Sequence, residues 1–150
     1  AIDPHAAWLT ERGLKTMALR VQRANANALA VARWASARPE FLAVHYPGLK
    51  GHPDHSLAAR LFDGYGGMVG LVLKGGVPAA QQLLQRLKVI THAPSLAGVE
   101  SLISEPRLTS HKPLSAEARA SLGVPDGFLR LSCGCEDVED LIDDLAGALQ

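Results

Sequence analysis

The period of the hydrophobic positions changes several times along this chain, and each change marks a predicted element. From about His5 to Arg38 there is no proline, and Met17, Val21, Ala24, Ala28, Val31 and Ala32 recur at helical spacing. Asp3 and Pro4 stand where an N-cap and a first helical residue belong. Gly13 is the one weak point inside, marking a kink or the start of a second helix. A continuous helix here would run roughly 50 Å, against a radius of gyration of about 15 Å for a domain of this size. Such a helix would overshoot its own domain, which points to a connection toward a missing domain or a partner subunit.

Beyond Pro39 the elements shorten. Leu42 to Tyr46 reads as a strand closed by Pro47 and Gly48, and the run His52-Pro-Asp-His55 opens a helix through about Phe62. Asp54 or Ser56 is available near its N-terminus, and Gly64 to Gly67 breaks it. Met68 to Leu73 is nearly all apolar and is expected to be a central strand. Lys74 to Pro78 reads as a turn, Ala79 to Leu87 as a helix, and Val89 to Thr91 and Glu100 to Ile103 as short strands. Residues 104–114 are expected to be loop, with Pro106 and Pro113. Ser115 can cap a short helix from Ala116 to Leu122, which Gly123 stops.

The stretch Gly127-Phe-Leu-Arg-Leu-Ser-Cys-Gly-Cys-Glu-Asp137 carries the most chemistry. As a strand it places Leu129, Leu131 and Cys133 on one face, and Phe128, Arg130 and Ser132 on the other. A guanidinium stays protonated and is costly to bury unpaired, so Arg130 needs an anion. A protein carboxylate, for instance Glu100 or a C-terminal acid, or a ligand would serve. Glu136, Asp137, Glu139 and Asp140 suit the first turn of a last helix, whose buried stripe is Val138, Leu141, Ile142, Leu145 and Leu149. A long helix followed by short strands mixed with helices is an α+β pattern: a small mixed or mainly antiparallel sheet packed with helices.

Composition removes several classes of function. At 150 residues the chain can bury a sizeable core, and its 15 basic and 15 acidic residues cancel. No nucleic-acid or membrane footprint follows from that balance, and no apolar run reaches the ~20 residues of a span. No signal peptide is expected, and two cysteines spaced Cys-x-Cys are no disulfide framework, so a reducing, cytoplasmic setting is expected. The first residues are Ala1-Ile2-Asp3-Pro4 with no initiator methionine, which leads us to expect a processed, truncated or excised chain.

Several pieces together resemble one family. They are Arg12-Gly-Leu-Lys-Thr16, Val44-His-Tyr-Pro-Gly-Leu49 and Gly66-Gly-Met68, then Ser95-Leu96 with Gly98-Val-Glu-Ser-Leu102, Ser110-His111, and Gly127 to Asp137. In order and spacing they resemble the pyridoxal-phosphate enzymes of cysteine and methionine metabolism, including cystathionine γ-lyase, β-lyase and γ-synthase and methionine γ-lyase. Each piece alone is weak; the set covers essentially the whole chain. The resemblance is to the C-terminal part of the family's length. It implies that residues 1–38 are the end of a large domain with a long connecting helix. Residues 39–150 would be the C-terminal small α+β domain of a fold-type-I enzyme. The family's cofactor lysine, its pyridine-nitrogen aspartate, its stacking tyrosine and its phosphate-binding residues have no counterpart here. Lys15 belongs to the Arg-Gly-Leu-Lys-Thr piece and is not the Schiff-base lysine. No catalytic, cofactor-binding or metal-binding residue is therefore expected in this chain, and alone it is expected to perform no reaction.

What the resemblance assigns is a share of a substrate site. Arg130 falls where the family binds the substrate α-carboxylate, a role suited to a planar bidentate donor. Ser95 matches the serine whose loop borders that site. Pro94 occupies the preceding, variable position, where γ-lyases and γ-synthases tend to carry glutamate, β-lyases an aromatic and methionine γ-lyases an apolar residue. A proline removes a carboxylate there and leans toward a smaller or apolar sulfur substrate. The implied function is a pyridoxal-phosphate-dependent C–S lyase acting on cystathionine, methionine or cysteine. Its implied partners are the N-terminal cofactor-binding portion and a homotetramer. Two alternatives stand beside it. One is a non-catalytic or split module that binds an N-terminal partner chain through Trp8, Leu9 and Met17; the other is a γ-synthase or sulfhydrylase of the same family.

The remaining candidates read as structural. His52 and His55 have no third metal ligand at a motif spacing; His111 resembles a family histidine in a loop, and His92 has no assignable role. Cys133 and Cys135 read as small hydrophobes. Gly64, Gly66 and Gly67 lack the following Lys-Ser/Thr of a phosphate loop and are expected to turn the chain into the central strand.

Overall fold

Five segments pair into one sheet in the computed structural model, which describes residues 1–150: β1 (Phe41–His45), β2 (Met68–Leu73), β3 (Thr91–His92), β4 (Leu102–Ser104) and β5 (Phe128–Ser132). Their order is β1-β2-β5-β4-β3, with β3–β4 parallel and every other pair antiparallel. The alternation read in β5 is realised. Leu129 and Leu131 are fully buried on one face, followed by Cys133, while Phe128 and Arg130 are half-buried on the other. Full burial of one such leucine is worth about 1.5–3 kcal/mol, so the register of β5 is strongly fixed.

Six helices complete the α+β fold: α1 (Pro4–Leu14), α2 (Met17–Ser36), α3 (His55–Leu61), α4 (Gly76–Arg86), α5 (Ala116–Ser121) and α6 (Val138–Ala148). Three of them, α2, α4 and α6, cover the leucine face of the sheet. From α2 come Ala28, Val31, Ala32 and Ala35, all without exposed surface, and from α4 Ala80, Leu83 and Leu84. The last helix adds Leu141, Leu145 and Ala148, with Ile142 and Leu149 packed at the margin of its expected stripe. The expected Asp3 and Ser115 caps form, and Asp137 adds a third, where a short polar residue meets a free amide, whereas Asp54 makes no capping bond to α3. Asp3 accepts from the His5 and Ala6 amides, Ser115 from Ala118, and Asp137 from Glu139.

Four expectations are corrected. The stretch from His5 to Arg38 is two helices, broken at Lys15–Thr16 rather than at Gly13. There Arg20 donates to the Gly13 carbonyl at 3.0 Å and to the Thr16 hydroxyl, so a side chain takes over a carbonyl at the end of α1. The longer helix, α2, therefore spans about 30 Å instead of 50. The helix placed from His52 starts at His55, because a turn comes first and the His52 ring accepts the Asp54 amide at 3.2 Å. In α4 the start is Gly76, three residues early, since Pro78 fits within a first turn that needs no amide there. The strand placed over Val89 to Thr91 is only Thr91–His92, because the Val89 and Ile90 amides are bound to Asp144.

One close approach sets where β5 begins. Gly127 has φ +82°, and a Cβ there would lie 2.7 Å from the Gly76 Cα, so the strand enters directly against the α4 N-terminus. At the other end of the chain α1 has no buried residue, and burial within α2 begins only at Asn27. Trp8, Leu9, Leu14, Met17, Leu19 and Val21 are all about half exposed or more, Leu19 reaching 68%.

Candidate functional site

The helix-free face of the sheet carries Arg130, with Gly70 beside it on β2 and Ser104 on β4. The loop from Pro94 to Gly98 crosses this face. Arg130 Nη2 donates to the Pro94 carbonyl at 2.6 Å and to the Ser95 carbonyl at 3.4 Å. No carboxylate pairs with Arg130. The five ion pairs of the fold join Lys15–Glu11, Arg23–Asp137, Arg38–Glu40, Arg107–Glu105 and Arg119–Asp126. Arg130 Nε is buried without a partner, and so is the hydroxyl of the neighbouring Ser104. The guanidinium is thus tethered through one nitrogen to neutral carbonyls and keeps its positive charge uncompensated, which leaves it able to take an anion.

The structure brings together all three residues singled out for a substrate site, Arg130, Ser95 and Pro94. It does so through the loop's backbone: Pro94 and Ser95 are exposed, and it is their carbonyls that meet the arginine. The loop has further anchors at the end of the same strand and just beyond it. Ser132, fully enclosed, accepts the Ala97 amide at 2.9 Å, and the Cys135 amide donates to the Val99 carbonyl at 2.7 Å. Glu136 accepts from the Ser101 hydroxyl at 2.8 Å and also from the Ser101 amide. Gly134 lies so near the loop that a Cβ would sit 2.3 Å from the Val99 carbonyl oxygen. A glycine between the two cysteines is required by that approach. Asn27 on α2 closes the set, donating to the Gly134 and Glu136 carbonyls at 3.1 and 3.0 Å.

Ser132, Ala97 and Glu136 were not singled out from the sequence. Strand alternation does put Ser132 on the arginine's face. Ala97, at φ +63°, is the one non-glycine residue in the left-handed region, and an alanine gives no sequence signal of that conformation.

The other candidates have local partners. His52 binds the Asp54 amide; His55 meets the Pro47 carbonyl at 2.8 Å and stacks on Tyr65; His111 meets the Ser110 hydroxyl at 2.9 Å. His92 is exposed on β3. Both cysteines are free, and burial pushes the Cys133 thiol up to about 12, with a further push from Glu136. A thiol held protonated is a hydrophobe rather than a nucleophile. Gly66, at φ +83°, offers its carbonyl to the buried Tyr46 hydroxyl at 2.8 Å as the chain turns into β2. Lys15 is exposed and pairs with Glu11 at 3.3 Å.

Over its full length, residues 1–150, the sequence matches the family described as Cys/Met metabolism PLP-dependent enzyme. The chain belongs to that family. Among curated relatives it is similar to cystathionine gamma-synthase of Mycobacterium leprae, 51% identical across 98% of this chain and 37% of the relative. It is similar also to cystathionine beta-lyase of Coxiella burnetii, 41% identical across 97% of this chain and 38% of the relative. The fold matches the solved structure of a cystathionine gamma-lyase from Micromonospora echinospora with a TM-score of 0.88 and 44% identity, covering 95% of this chain and 37% of that one. The chain thus spans little more than a third of these relatives.

Pyridoxal phosphate is the family's cofactor, and the residues present do not build a site for it. All five lysines lie on the surface. The glycines from Gly64 to Gly67 lead into β2 rather than into a helix N-terminus that could face a phosphate. No helix is long and apolar enough to cross a membrane.

Proposed function

We propose that this chain is the C-terminal, carboxylate-binding part of a pyridoxal-phosphate-dependent C–S lyase acting on a sulfur amino acid of the cystathionine, methionine or cysteine type. Residues 1–38 end the large domain and connect it. Residues 39–150 form the small domain, although the second half of α2 also contributes to that domain's core. The N-terminal cofactor-binding portion of the same enzyme is the partner, within a homo-oligomer. The observation that carries this reading is the Arg130 guanidinium, free of any carboxylate and held beneath the Ser95 loop. Its task is binding and orientation: a planar donor fixes both oxygens of an α-carboxylate. No chemical step is assigned to this chain's own residues.

Steady-state kinetics of the full-length enzyme test the assignment. Loss of a charge-assisted pair of about 1.5–3 kcal/mol predicts a KM raised roughly 10- to 150-fold in Arg130→Ala. A KM close to that of the unaltered enzyme would sink it. A second reading, replacement instead of elimination, is favoured by the likeness to the mycobacterial γ-synthase at 51% identity. Product analysis with cystathionine, cysteine, methionine and O-acetylhomoserine separates the two: a new thioether product indicates replacement, and release of ammonia with an oxo acid indicates elimination.

A further inference from the structure

The loop over Arg130 is held by two kinds of anchor, and only one of them competes with a ligand. The Pro94 and Ser95 carbonyls are bound by Arg130 Nη2, a donor that an arriving carboxylate also wants. Ala97 is bound by Ser132, whose hydroxyl oxygen accepts the Ala97 amide at 2.9 Å. Ser132 has 2% of its surface exposed, so the accepting hydroxyl is shielded from water although Ala97 itself is exposed. Its in-register neighbours are Met68 on β2 and Leu102 on β4, neither of which offers a polar side chain. Ala97 is held at φ +63°, a conformation that an L-residue adopts only when its surroundings impose it. From Pro94 to Gly98 this is the one hydrogen bond from the loop to β5 that does not use the arginine; the next anchor is Val99, whose carbonyl accepts the Cys135 amide beyond the end of the strand.

We propose that Ser132 is a positioning residue of the substrate-carboxylate site, keeping the Pro94–Gly98 loop in place through Ala97 when Arg130 turns its donors to a ligand. The proposal rests on the carboxylate reading of Arg130. Once the guanidinium engages a carboxylate, its hold on the Pro94 carbonyl weakens, and the strained segment stays seated because Ser132 retains it. Ser95, two residues before Ala97, keeps its place at the rim for the same reason.

The test uses the full-length enzyme. In Ser132→Ala the KM for the sulfur amino acid is expected to rise about 3- to 10-fold, the size expected for one neutral hydrogen bond, with a smaller change in kcat. Hydrogen exchange of the peptide spanning Pro94–Gly98 is expected to accelerate in the same variant. Ser132→Thr, which keeps the hydroxyl oxygen, is expected to recover both properties. Faster exchange with an unchanged KM would overturn the positioning role, and unchanged exchange would overturn the latch itself. The parallel Arg130→Ala variant keeps the two ideas apart: an unchanged KM there removes the carboxylate reading whatever Ser132 does. Should Ser132→Ala fail to fold, Ser132→Cys supplies a weaker acceptor of similar size. It is then expected to give an intermediate KM, and a KM equal to that of the unaltered enzyme would count against the proposal.

Discussion

A carboxylate oxygen of Asp144 on α6 accepts the Ile90 amide at 2.8 Å, across 54 residues of sequence. The same oxygen takes the Val89 amide at 2.9 Å, and the other takes Lys88 at 2.7 Å. Three successive amides between α4 and β3 are thus satisfied by one side chain, which pins the last helix to the sheet's edge. Hydrogen bonds to a charged group are the stronger kind, but Lys88 and Val89 are exposed and water can replace part of the loss. Asp144→Ala is therefore expected to destabilise the chain by about 1.5–3 kcal/mol in urea unfolding. Asp144→Asn, which keeps one acceptor oxygen, should recover part of it. Equal unfolding midpoints for all three proteins would show that the amides find other partners.

Stability should fall on the alkaline side. Burial pushes the Tyr46 hydroxyl up to about 12, with smaller contributions from Cys133 and Tyr65, and pushes the Cys133 thiol to about 12 as well. Both groups ionise more easily unfolded, at 10.0 and 9.0. Between those values and about 12 the unfolded chain binds fewer protons than the folded one, so stability declines as pH rises. It is fully present below pH 9. The slope for each group is at most about 1.4 kcal/mol per pH unit. Urea midpoints at successive pH values should show the decline beginning with Cys133 and steepening once Tyr46 joins. Tyr46→Phe should remove the steepening above pH 10 and leave the Cys133 contribution, and a slope unaltered by that substitution would place the cause elsewhere.

What the sequence disclosed follows the range of the interaction responsible. The bounds of β2 were legible because a run of six residues, apolar but for Gly70, stands between glycines and a lysine turn, and the caps Asp3 and Ser115 because capping is a bond over two or three residues. The placement of Arg130 on the helix-free face followed from strand alternation alone. Distant partners left no such trace. The amides that shorten β3 are taken by a residue more than fifty positions away. The break at Lys15–Thr16 carries neither glycine nor proline. For the site, the residue type and face of Arg130 were readable, but not that carbonyls 35 and 36 residues distant would meet it, nor that Ser132 would hold Ala97.

The exposed apolar surface of α1 and the first half of α2 gives the final prediction. Trp8 is partly shielded by its own helix, with His5 stacked at 5.9 Å and Arg12 at 5.7 Å from the ring, yet it remains 51% exposed. Leu9 and Met17 have no such cover and are 50% and 49% exposed. Six large apolar side chains left about half exposed or more over these two segments are the kind of surface that meets another protein surface. The 1–150 chain by itself is therefore expected to self-associate in sedimentation velocity experiments. A Trp8→Ser, Leu9→Ser, Met17→Ser variant should run as a monomer. Because neither α1 nor α2 before Asn27 has a buried residue, the triple substitution should cost the isolated chain under about 1 kcal/mol, the range of surface changes. In the full-length enzyme the same three changes should lower stability by considerably more, since there the surface would be covered by the N-terminal portion. A monodisperse monomer of the unaltered 1–150 chain at high concentration, together with an unaffected full-length triple variant, would show that this face has no partner.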